Sequence, residues 1–95
     1  VKGVVFMPVI TPKQKINQTK MFGDGAIEVQ LVGDTFDDCA AAAKKYTEEN
    51  EMTFIPPFDD YRIIEGQGTV GLEILEEQSD IDYVFVSVGG GGLSA

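Results

Sequence analysis

The residues best suited to chemistry in this sequence are Gly89-Gly90-Gly91-Gly92, because four successive residues without side chains can turn their backbone N–H groups toward a single anion. Leu93-Ser94-Ala95 follow directly and are placed to open a helix, whose N-terminal dipole would add to the same attraction. Phosphate is the anion that such a loop suits. A flexible linker is the bland alternative, but linkers do not normally follow directly on a β-prone apolar run such as Tyr83-Val84-Phe85-Val86-Ser87-Val88. The spacing therefore predicts strand, glycine loop and helix start as one phosphate site.

Other chemistry-bearing patterns are weaker. Gly66-x-Gly68-x-x-Gly71 matches a dinucleotide fingerprint in letters only, since no convincing strand precedes it. The positions about 20 residues further on, where a ribose-binding acid belongs, are Phe85 to Gly92 and contain no acid. Gly90-x-Gly92-x-x-Ala95 does follow a β-prone run, but the sequence given ends before an acidic partner could appear. Asp37-Asp38 suits the first turn of a helix, where the dipole favours acids, and Asp59-Asp60 suits a solvated loop, so neither pair demands magnesium. Cys39 is the only cysteine and falls on an apolar helical stripe, which makes it a small core residue rather than a nucleophile. With no histidine, zinc sites and His-based triads are excluded within these residues.

The elements that must position the glycine loop can be read in order. Val4 to Met7 is a short apolar run of the kind buried on both faces of a parallel sheet. Thr11 is a good N-cap and Pro12 suits a first helical turn, which predicts a helix through Phe22 stopped at Gly23. Ala26 to Val32 alternates as a strand, and Gly33-Asp34-Thr35 forms a turn and cap. In the next helix Phe36, Cys39, Ala40, Ala43 and Tyr46 make one stripe, with Lys44 and Lys45 later, as the dipole prefers. Met52 to Ile55 reads as a third strand halted by Pro56-Pro57. From Tyr61 to Gln78 the residues Ile64, Val70, Ile74 and Leu75 recur at helical spacing. Gly66, Gly68 and Gly71 each cost roughly 1 kcal/mol there, and a close packing partner would offset this. Tyr83 to Val88 is then a fourth, buried strand. Alternation of this kind predicts an α/β fold, a three-layer parallel sheet with helices on both faces, Rossmann-like, whose ligands bind at the carboxyl ends of the strands.

Composition removes several classes of function. The net charge is −9, and all 16 acids lie beyond residue 23, whereas residues 1 to 23 hold Lys2, Lys13, Lys15 and Lys20. So acidic a surface argues against nucleic acid as a partner. No apolar run approaches the roughly 20 residues of a membrane span, and no signal-peptide pattern opens the sequence, so a cytoplasmic, non-membrane protein is expected. Val1 in place of methionine, and a stop where the glycine run should hand over to a helix, suggest an internal piece of a longer protein.

Five segments occur in an order and spacing that carry a resemblance: Phe6-Met7-Pro8 with Thr11-Pro12 and Lys15; Gly33-Asp34-Thr35-Phe36-Asp37; Pro57-Phe58-Asp59; Gly66-Gln67-Gly68-Thr69; and Gly89 to Gly92 with Leu93. The sequence resembles the threonine dehydratase and serine racemase branch of the fold-type II pyridoxal-phosphate enzymes over essentially its whole length. The Met-Pro, Thr-Pro and Gly-Asp-Thr-Phe pieces look most like the biosynthetic threonine dehydratases. The resemblance implies pyridoxal 5'-phosphate as cofactor, its phosphate held by Gly89, Gly90, Gly91, Gly92 and the Leu93 amide, with Phe58 near the cofactor. It also implies that residues 1–56 belong to a smaller mobile domain and residues 57–95 to the returning segment of the larger cofactor domain. The activity implied is deamination of L-threonine to 2-oxobutanoate and ammonia, for isoleucine synthesis, by a homo-oligomer. A serine racemase or serine dehydratase activity, and a non-enzymatic module for phosphorylated ligands, are the competing readings. The lysine that bonds the cofactor in this family has no counterpart among Lys2, Lys13, Lys15, Lys20, Lys44 and Lys45. No catalytic residue is therefore expected in these 95 residues, and no activity from them alone.

Overall fold

A computed structural model describes residues 1–95, which form two compact units, Val1–Phe54 and Ile55–Ala95. In the first unit, strand β1 (Gly3–Met7) pairs in parallel with β2 (Ile27–Leu31), in a register running from Gly3 opposite Ile27 to Met7 opposite Leu31. Parallel neighbours need a crossover, and helix α1 (Lys13–Gly23) supplies it. Hydrogen bonds from Gly3 N–H to Ala26 O (3.0 Å), Val32 N–H to Met7 O (2.9 Å) and Val9 N–H to Gly33 O (2.9 Å) carry the pairing past both ends of the strands.

Helix α1 starts one residue later than Thr11-Pro12 suggests. Pro12 (ψ 137°) is itself the non-helical cap residue and no side chain caps the helix. Thr11 is not the N-cap, because its hydroxyl donates back to Pro8 O at 2.7 Å and closes the turn after β1. At the other end Gly23 is still helical and the stop is Asp24, left-handed at φ 46°, a conformation that a short polar side chain tolerates.

Helix α2 (Phe36–Glu49) is capped as its sequence indicates: Thr35 accepts from the Asp38 N–H at 3.2 Å, and Asp37 and Asp38 occupy the first turn. Lys44 and Lys45 fall short of the last turn, which holds no base. The core lies where α2 meets β1. Phe6 and Tyr46 pack edge to face, 5.4 Å between centroids, and Cys39 is the most enclosed side chain at 4% exposure. β1 is half-buried throughout rather than buried on both faces.

In the second unit α3 (Tyr61–Glu77) is the single regular element. Asp60, expected as loop solvation, caps it: the carboxylate accepts from the Arg62 N–H at 2.8 Å and pairs with the Arg62 guanidinium at 3.2 Å. Those bonds hold the Asp60 carboxyl below the ordinary aspartate range, the side-chain bond from Arg62 being the largest cause and its backbone bond the next. The expected close partner for Gly66, Gly68 and Gly71 is not within this chain, since a Cβ built on any of them meets nothing within 4 Å.

Two expected strands are absent. Met52 to Ile55 and Tyr83 to Val88 carry no strand pairing, and the sheet has two strands, β1 and β2. A strand is completed by the neighbour that accepts and donates its backbone hydrogen bonds, and intrinsic β-preference does not replace one. The run also lacks the expected burial, with Tyr83 83% and Phe85 98% exposed. The architecture is thus α/β with a small parallel sheet and helices. No helix is long and apolar enough to cross a membrane.

Candidate functional site

The glycine loop lies in the second unit and forms one wall of an open hollow of about 220 Å³. Pro57 and Phe58 line it from the segment before α3, Gln67 from α3, Ser87 from the run before the glycines, and Gly89 to Ser94 from the loop itself. No lysine or arginine lines it, so any charge it accepts is met by neutral groups.

The conformation of the loop explains why its residues are glycines. A Cβ on Gly90 would run into the Phe58 ring, with Cε1 at 2.7 Å, and one on Gly92 would stand 3.1 Å from Phe58 Cβ. Gly91 adopts φ 90°, which an L side chain rarely tolerates. Phe58 therefore supports the loop from one side and only a bare backbone fits over it. After the loop, the Ala95 N–H donates to Gly91 O at 2.9 Å and the Ser94 hydroxyl to the same oxygen at 3.2 Å, the start of a turn. The N–H groups of Gly89, Gly90, Gly91, Gly92 and Leu93 donate to no protein acceptor. Amides grouped in this way are the donor set that a phosphoryl group requires, and the residues present fit a phosphate-bearing cofactor.

The remaining sequence candidates separate from this site. Gly66, Gly68 and Gly71 lie inside α3, not in a nucleotide loop. Asp37 and Asp38 begin α2, and Asp60 begins α3. No group of three acidic or cysteine side chains is arranged to hold a metal. Burial pushes the Cys39 thiol up, which keeps it protonated and unreactive near neutral pH. Gln67 and Ser87 were not legible as site residues. Gln67 is separated from the loop by some 20 positions in sequence, and helical spacing does not tell which residue of α3 the loop will meet.

Comparison with known proteins gives the family. The chain belongs to the pyridoxal-phosphate dependent enzyme family, whose profile matches residues 1–95. Among named relatives, it is 54% identical over 96 residues to the L-threonine dehydratase biosynthetic IlvA of Staphylococcus epidermidis, covering 97% of this chain and 23% of that protein. It is 48% identical to the protein of the same name from Lactococcus lactis, over 100% of this chain and 24% of the relative. The solved processed form of threonine deaminase isoform 2 from Solanum lycopersicum superimposes with a TM-score of 0.80 at 42% identity, over 97% of this chain and 24% of that one. The chain spans about a quarter of the length of these relatives.

Proposed function

We propose that these residues are the part of a threonine dehydratase that grips the phosphate of pyridoxal 5'-phosphate, and that the complete protein deaminates L-threonine to 2-oxobutanoate and ammonia in the cytoplasm. The observation that carries the reading is the run of unpartnered amides at Gly89, Gly90, Gly91, Gly92 and Leu93 along one hollow, with Gly90 and Gly92 against Phe58. When bound, pyridoxal phosphate supplies an electron sink for the substrate carbon that loses a proton, so the chain around it has to bind, orient and exclude water. The glycine loop does the first of these tasks by holding the phosphate, and Phe58 keeps the loop in shape from beneath. The names of the relatives favour threonine as substrate.

In this reading residues 1–56 form part of a smaller mobile domain and residues 57–95 part of the cofactor domain. Tyr83 to Val88 then becomes a strand of a three-layer parallel sheet once neighbouring strands from the rest of the protein pair with it. Its large exposed side chains support that assignment. The complete protein is a homo-oligomer, and it does not use nucleic acid or a membrane.

No lysine lines the hollow, so the base and the cofactor-bonding lysine come from residues outside these 95. The purified 95-residue chain with added pyridoxal phosphate is expected to leave L-threonine unchanged, while the complete protein releases 2-oxobutanoate and ammonia. Turnover by the 95 residues alone would overturn the division of labour. Failure of the complete, cofactor-loaded protein to consume threonine would overturn the activity.

A further inference from the structure

Gly66-Gln67-Gly68 is the one motif of the sequence that neither the fold nor the phosphate loop accounts for. The two glycines are not required by close packing within the chain, because a Cβ on either would meet open space, and each costs about 1 kcal/mol in a helix interior. What they do is clear the surface of α3 on both sides of Gln67, and Gln67 is the residue of α3 that lines the hollow beside the glycine loop. Ser87 lines the same hollow from the residue two before Gly89. No cationic side chain does.

The three terminal oxygens of a phosphoryl dianion can accept more hydrogen bonds than five amides donate, and with no cation in the lining the neutral side chain best able to add a donor is a carboxamide, with two N–H groups. We infer that Gln67 is a phosphate-binding residue of this site, its side-chain amide completing the donor set of the glycine loop from α3. The inference rests on the reading of the loop as a pyridoxal-phosphate site and deepens it. Gln67 selects the phosphorylated cofactor over its unphosphorylated form, and neutrality at this position is part of that selection. A carboxylate of the same shape would turn a donor toward the phosphate into a repelling charge, and a methionine would keep the volume but donate nothing.

The test uses the complete protein carrying these residues, as wild type, Gln67→Glu and Gln67→Met. Binding of pyridoxal phosphate and of pyridoxal is titrated by absorbance, with circular dichroism to establish that each variant is folded. The expected result is a loss of pyridoxal-phosphate affinity of about tenfold or more in Gln67→Glu and a smaller loss in Gln67→Met, with pyridoxal binding unchanged in both. Unchanged pyridoxal-phosphate affinity in both variants would overturn the inference. So would an equal loss for pyridoxal and pyridoxal phosphate, which would mark a general disturbance of α3. Failure of the wild type itself to prefer pyridoxal phosphate would instead count against the phosphate site as a whole, so the two claims fail in distinguishable ways.

Discussion

Val1–Phe54 and Ile55–Ala95 are similar in apolar content but differ in what they can complete from their own sequence. In the first unit the β-prone run Gly3–Met7 finds Ile27–Leu31 beside it, pairs in parallel, and receives α2 on its surface through the Phe6–Tyr46 contact. In the second, the equally β-prone run Tyr83–Val88 has no neighbour within the unit and leaves Tyr83 and Phe85 open to solvent. Yet the second unit holds the better-defined functional feature. Its glycine loop is shaped by a contact with Phe58 of the same unit and by the conformation of Gly91, and neither needs a completed sheet. A binding loop can thus take its shape within one unit even where the run that leads into it has no pairing partner there.

The sharpest way to break this contrast is to fill the loop. Gly90→Val places two methyl groups where the Phe58 ring lies, and overpacking of that kind costs about 1–3 kcal/mol. In the complete protein pyridoxal-phosphate affinity should fall by up to about 100-fold in an absorbance titration, with the hydrogen exchange of β1 and β2 amides unaffected. A loss of protection in β1 would show that the loop does not take its shape within its own unit.

Phe6→Ala probes the other side of the comparison. Removing a ring that packs on Tyr46 should destabilise the first unit by about 2–3 kcal/mol in chemical denaturation, below the full cost of emptying a completely buried aromatic site. Thr35→Ala should cost about 1 kcal/mol in the same assay, because the Asp38 N–H loses its acceptor.

The smallest effect concerns the start of α3. The Asp60 carboxyl titrates below the ordinary aspartate value because Arg62 bonds to it, so its support is fully present above that ordinary value and is lost as pH falls through the lowered one. Hydrogen exchange at the Arg62 amide should lose protection as pH drops through that acidic window, after correction for intrinsic rates. Asp60→Asn should abolish the dependence.

How much of this was legible in the sequence follows from the range of the interactions involved. Thr35 as a cap and the stripe through Cys39 and Tyr46 are local patterns and appear where the sequence places them, whereas the glycine loop follows a run without strand pairing and leads into a turn rather than a helix. Thr11 failed as a cap because a turn bond to Pro8 competes for its hydroxyl, and Asp60 became a cap because Arg62 follows two residues later. The β-preference of Met52–Ile55 and Tyr83–Val88 states a tendency but does not supply the neighbour that a ladder needs. Gln67 is not legible as a site residue because its approach to the loop is set by tertiary structure rather than by periodicity.

The central claim is that main-chain amides, without a lysine or arginine, grip the phosphate of the cofactor. A crystal structure of the complete protein with pyridoxal phosphate tests it most directly. The account predicts phosphate oxygens within about 2.7–3.2 Å of the backbone nitrogens of Gly89 to Leu93. A phosphate held instead by basic side chains elsewhere, with the amides of Gly89 to Leu93 bonded to protein oxygens, would contradict it.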